Sequence, residues 1–156
     1  MKKYIVLLIS IILDGLISNI SLYQINHLTY FTSLCTVISL VVVYNNEDFI
    51  KLLILSSVVY GGLYMSNILL SFVLFFAALM TIKYLKKELR DNLFTILLQF
   101  IIIIFVYDFI LFFIMSFINV GHIGFNHYFY KITHSLLLNL LYGISIYFIY
   151  DKKVLN

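Results

Sequence analysis

Apolar residues in this chain come in long blocks, separated by short polar interruptions rather than alternating with them. A helix that crosses a bilayer needs about 20 mostly apolar residues, because each residue rises about 1.5 Å and the hydrocarbon is roughly 30 Å thick. Six blocks approach that length: 4–22, 30–44, 49–64, 67–85, 93–118 and 132–150. None shows the two-residue alternation of a membrane β-barrel strand, and Ile and Val are ordinary in membrane helices. The pattern predicts an all-α integral membrane protein, with six transmembrane helices in a single bundle and one polytopic domain over residues 1–156. The first block follows Met1-Lys2-Lys3 and imitates a secretory leader. Asp14-Gly15 stands where a small-residue cleavage site would be needed, so the segment is expected to remain as the first helix.

Composition strengthens that expectation. The chain is 63% hydrophobic and 11% charged, whereas soluble domains are roughly half apolar and a quarter charged. A domain of 156 residues exposes too much surface to hide such an excess in one core, so lipid is the expected solvent. Charge then sets the threading. The segment Lys83–Asp91 is the only dense charged run and carries four of the ten Lys/Arg residues. Short loops rich in Lys and Arg stay in the cytoplasm. With six crossings, Lys2, Lys3, Lys51, Lys83, Lys86, Lys87, Arg90, Lys152 and Lys153 all fall on one side, and only Lys131 on the other. Both termini are therefore expected to be cytoplasmic, in a multi-pass protein of the plasma membrane. The cations sit at the ends of apolar spans rather than along one face, which speaks against nucleic acid as a partner.

Charge within the hydrocarbon is costly and marks a functional or packed position. Asp14 in the first helix and Asp108 in the fifth both fall near mid-span. Ser10, Asp14, Ser18 and Ser21 form one stripe at helical spacing, with Asn19 beside it. Other stripes are Thr32, Thr36 and Ser39; Ser57, Gly61 and Tyr64; Asp108, Phe112 and Ser116; and Ser135, Asn139 and Gly143. Two readings stand. The stripes are the interior of the bundle, where small and polar residues allow close packing and interhelical hydrogen bonds. Alternatively, Asp14 or Asp108 meets a partner helix or a ligand. No Lys, Arg or His lies at the same depth, which argues against a proton-coupled pump.

The chemistry expected is slight. His27, His122, His127 and His134 all fall on the outer side, but without nearby Cys or acid and at no metal-site spacing. Phe125, Tyr128, Phe129 and Tyr130 surround His127, which suits a short interfacial segment and a partner-docking surface within 119–131. Cys35 is the sole cysteine and can form no internal disulfide. No nucleophile elbow, phosphate-binding loop or cysteine pair is present. Neither catalysis nor a cofactor is expected.

The order of features resembles the bacterial rod shape-determining MreD family over nearly the whole length. The resemblance is carried by Leu13-Asp14-Gly15-Leu16-Ile17-Ser18-Asn19, by Tyr60-Gly61-Gly62-Leu63-Tyr64 leading into 67–78, by the basic hinge, and by Ser135-Leu136-Leu137-Leu138-Asn139-Leu140-Leu141-Tyr142. Gly61 and Gly62 stand where that family often has an acid, and the chain has no proline before Asn139. The resemblance implies a non-catalytic membrane component of the cell-elongation machinery, controlling shape by coupling to lateral peptidoglycan synthesis. Implied partners are an MreC-like protein, an MreB-like protein, a RodA-like glycosyltransferase, a class B penicillin-binding protein and the lipid bilayer. Asp14, Ser18, Asn19, Asp108 and Asn139 are the candidate partner-binding or helix-packing positions. The family fold is also similar to the substrate-binding membrane subunits of energy-coupling-factor vitamin transporters, which supplies the alternative reading.

Overall fold

The computed structural model describes residues 2–24, 32–43, 49–65, 67–89, 93–118 and 125–151. All described elements are helical, with no strand among them: α1 (Lys2–Gln24), α2 (Thr32–Val43), α3 (Phe49–Tyr60), a π-helical turn (Gly61–Met65), α4 (Ile68–Glu88), α5 (Leu93–Phe117) and α6 (Phe125–Asp151). The six apolar blocks thus each become a helix, but several ends differ from the apolar boundaries. Helix α4 runs on through Lys83, Lys86 and Lys87, so most of the basic hinge is helix rather than loop. Helix α6 begins at Phe125, seven residues before its apolar block, and takes up 125–131 as its first two turns. The third block ends in a π-turn instead of a regular α-helix. Arg90, His27, His122, Lys152 and Lys153 lie outside the described residues, as do the side chains of Ser18, Asn19, His127, His134 and Ser135.

Helix α2 is the axis of the bundle. It packs against all five other helices, while α1–α3–α4–α5–α6 follow one another around it. Six consecutive residues, Ser33 to Ile38, are buried, which is possible only for a helix covered on every side. The ring helices are two-faced. On α4, Ser71, Leu74, Phe75, Ala78, Leu79 and Ile82 point inward, at the three- and four-residue spacing of one helical face. The outer face carries Leu69, Phe72, Val73, Phe76 and Met80, all exposed. On α5, Phe105, Phe109, Phe113 and Phe117 make an exposed ladder one turn apart, with adjacent ring centroids 6.4 and 5.0 Å apart over the last two steps. Ile5, Ile9, Ile12 and Leu16 do the same on α1, and Leu137 and Leu141 on α6, where Phe148 is exposed two turns further on. In a water-soluble monomer large apolar side chains scatter singly over the surface; here they form continuous stripes. Two helices, Ile68–Glu88 and Phe94–Phe117, are long and apolar enough to cross a membrane.

Close approaches hold the bundle together. Asn67 caps α4, its side-chain oxygen accepting from the Leu70 N–H at 3.0 Å. This satisfies one of the donors left open at a helix start. The reversal into α4 is tight because Gly61 has no side chain. A Cβ there would lie 2.8 Å from the Ser71 Cβ and 2.9 Å from the Ile68 Cα. Gly143 of α6 likewise lets the Phe100 ring of α5 approach its backbone closely, at a place where a Cβ would sit 2.6 Å from the ring.

Candidate functional site

Two polar clusters occupy the interior, one turn apart along α1. In the first, Ser10 joins three helices. Its hydroxyl donates to the Val6 carbonyl at 2.8 Å, accepts from Thr36 Oγ1 of α2 at 2.7 Å, and meets the Tyr142 hydroxyl of α6 at 2.5 Å. A hydroxyl has one donor and two acceptor sites, so Ser10 is fully used. Replacing Thr36 with Val keeps the shape but removes one donor. The expected loss is about 0.6–2 kcal/mol, read as a lower melting temperature for the detergent-solubilised protein.

The second cluster is built around Asp14, which is 2% exposed. The helical spacing from Ser10 places it on the same inward face of α1. Tyr60, in the last turn of α3, makes a side-chain hydrogen bond to its carboxyl. Tyr64, Tyr107 and Cys35 lie within electrostatic reach of the same carboxyl, so α1, α2, α3 and α5 all contribute to this level. The Cys35 thiol donates to the backbone carbonyl of Asn139 on α6 at 3.2 Å, bringing that helix in as well.

Aromatic rings wall off the carboxyl. Tyr64, Tyr60, Phe75 and Tyr107 follow one another edge to face, with centroid separations of 5.1, 5.5 and 6.0 Å. That geometry sets the positive ring edge against the negative face of the next ring. The π-turn gives Tyr64 its reach: the hydroxyl donates to the Ile11 carbonyl of α1 at 2.7 Å. The ring crosses directly over Gly15, where a Cβ would collide with the Tyr64 hydroxyl and lie 2.5 Å from Cε1. Asp14-Gly15 therefore reads as a pair: the acid is buried inward, and the glycine beside it admits the tyrosine that covers it.

Asp108 is equally buried, at 1% exposure, and Tyr107 lies within electrostatic reach of both carboxyls. Asn139, Ser33, Ser71 and Gln99 complete the buried polar set together with Ser56 and Ser57. The last two make no interhelical bond among the described residues. Each donates to a carbonyl of its own helix, Ser56 to Leu52 at 2.6 Å and Ser57 to Leu53 at 2.5 Å. The stripe expected at Ser57, Gly61 and Tyr64 thus works through close approach and through Tyr64, while Ser57 is satisfied locally.

Of the candidate positions, the structure buries Asp14, Asp108 and Asn139 in one interior; Tyr107 lies within reach of both carboxyls, and Cys35 ties the α6 backbone at Asn139 to the same level. Ser18 and Asn19 lie on α1, one turn beyond. Tyr107 and Gln99 were not singled out by sequence reasoning, and Tyr60 and Tyr142 entered only as part of the motifs that carry the family resemblance. Gln99 had a visible signal, being the one amide inside the apolar run of α5. It is fully buried, and its amide makes no hydrogen bond among the described residues. Nothing marked the tyrosines as interior partners, because 13 of them are spread along the chain. Among the described residues no three His, Cys, Asp or Glu side chains gather as metal ligands would. A carboxyl packed among tyrosine rings suits helix fixation and polar recognition between helices. Compared with protein-family models, curated proteins and solved structures, the chain matches none.

Proposed function

We propose that the chain crosses the plasma membrane six times with both termini in the cytoplasm, and serves as a non-catalytic scaffold of the cell-elongation machinery. In this role it couples an MreC-like and an MreB-like protein to a RodA-like glycosyltransferase and a class B penicillin-binding protein, as the resemblance to the MreD family implies. One observation carries the membrane part of the reading. The outer faces of the ring helices are continuous apolar stripes, while Asp14, Asp108, Asn139 and Gln99 face the interior. Hydrocarbon favours that arrangement and water opposes it.

The adaptor role draws support from how the interior is filled. Tyr107 and Phe75 are buried and packed edge to face in the interior, with Tyr107 within electrostatic reach of Asp14, so large side chains fill this level of the bundle. A substrate-binding subunit requires instead a concave site with convergent polar groups open to one side. Affinity purification from bacterial membranes in a mild detergent tests the assignment. Co-purification of the cell-wall synthesis proteins is the expected result. Recovery of energising ATPase subunits, without cell-wall proteins, would turn the assignment to vitamin uptake. Single cysteines placed at 121–125 test the threading separately, and they should react with an impermeant maleimide only from outside the cell.

A further inference from the structure

The stripes on α3 and α4 change character at one end of the bundle. The chain reverses direction at Asn67, so the first turn of α3 and the last turn of α4 lie together. Lys83 confirms the register: its Nζ stands 5.9 Å from the centroid of the Phe49 ring, tying the end of α4 to the start of α3. On α4, exposed Phe76 and Met80 lead at helical spacing to Tyr84, Lys83 and Lys87. On α3, exposed Val58 and Ile54 lead in the same way to Lys51. Two neighbouring helices thus present parallel apolar tracks, each ending in lysine at the same level. Tyr84, exposed at that junction, is amphipathic in the way that suits the headgroup boundary.

We infer that this end of the α3–α4 pair is a binding site for an anionic phospholipid. The inference rests on the membrane reading given above. The phosphate lies among Lys51, Lys83 and Lys87, and the acyl chains follow the Ile54/Val58 and Phe76/Met80 tracks. Charge complementarity selects the headgroup. In these two helix ends Lys51, Lys83, Lys86 and Lys87 face a single acid, Glu88. Glu47, Asp48, Arg90 and Asp91 belong to the adjoining connections, outside the described residues. Part of the lysine charge is explained by the helix itself, since Lys86 and Lys87 stand in the last turn of α4 and complement its negative end. Lys51 and Lys83 have no such role: Lys51 sits in the first turn of α3, where a cation is unfavourable to the helix dipole, and Lys83 leans across to the other helix. Two cations placed against or away from their own helix termini, at the foot of two apolar tracks, match an amphiphile with a negative head.

The test uses the full chain purified in a non-ionic detergent, titrated with phosphatidylglycerol or phosphatidylcholine and followed by native mass spectrometry. Phosphatidylglycerol is expected to bind more tightly than phosphatidylcholine, and inorganic phosphate is expected not to displace it. Each lysine changed to Gln should weaken phosphatidylglycerol binding about fivefold, and the triple change at 51, 83 and 87 by on the order of a hundredfold. The same three positions changed to Arg should retain binding, which separates loss of charge from loss of fold. Equal binding of the two lipids, unchanged binding by the triple Gln variant, or displacement by inorganic phosphate would each overturn the inference. Failure of the membrane reading shows differently, as a folded monomer recovered in buffer with no detergent at all.

Discussion

Gly61→Ala is expected to destabilise the protein by about 2–3 kcal/mol, the upper part of the range for overpacking a tight interior. The reason is which atoms the new methyl would meet. Ser71 Cβ at 2.8 Å and Ile68 Cα at 2.9 Å both belong to the first turn of α4, and a Cα cannot rotate away as a side-chain tip can. Relief requires moving α4 off α3, and α4 carries Phe75 against Tyr60 and Tyr107. The disturbance therefore reaches the wall around Asp14. Gly62 is the built-in control, because a Cβ there meets nothing within 4 Å. Gly62→Ala should leave the melting temperature of the detergent-solubilised protein nearly unchanged. Equal effects at 61 and 62 would contradict the packing described at the π-turn.

Asp14→Ala is the second large effect. It removes the acceptor of the Tyr60 hydroxyl deep in the bundle and leaves a gap among four helices. A buried hydroxyl stripped of its partner costs about 1–3 kcal/mol. The loss should depend on Tyr60. In the Tyr60→Phe background the same Asp14→Ala change should cost less, because no donor is left stranded; the two losses are then non-additive by about 0.5–3 kcal/mol. Asp14→Asn keeps an acceptor oxygen and should fall between wild type and Asp14→Ala. On the adaptor reading, Asp14→Ala also weakens recovery of cell-wall proteins in affinity purification, while the chain still inserts in the membrane. Full additivity of the two substitutions would remove the hydrogen bond from the account.

Hydropathy read the chain by solvent, and helices do not end where the solvent changes. This is why the apolar boundaries at 85 and 132 differ from the helix ends at Glu88 and Phe125. Lys86, Lys87 and Glu88 are good helix formers, and nothing in 125–131 is a Gly or Pro that would stop backbone hydrogen bonding. The inward face of α1 was legible because polar residues are rare in apolar spans, so Ser10 and Asp14 stood out at their spacing. Their partners were not legible. Whether Tyr60 or Tyr107 reaches Asp14 depends on which helices become neighbours, and helix periodicity carries no information about neighbours. The π-turn was hidden for a similar reason. Gly61 stood in the sequence as part of a packing stripe, but the swing that carries Tyr64 over Gly15 follows from the fit between α1 and α3.

The central claim is that hydrocarbon, not water, covers the stripes on the ring helices. Nitroxide labels at single cysteines replacing Val73, Phe76, Met80 and Lys87, in a Cys35→Ser background in lipid vesicles, address it directly. Molecular oxygen concentrates in the bilayer, and a charged nickel chelate stays in water. The account predicts that oxygen reaches the labels at 73, 76 and 80 far more readily than the chelate does, with the preference reversing at 87. Ready access of the chelate to all four positions would contradict it.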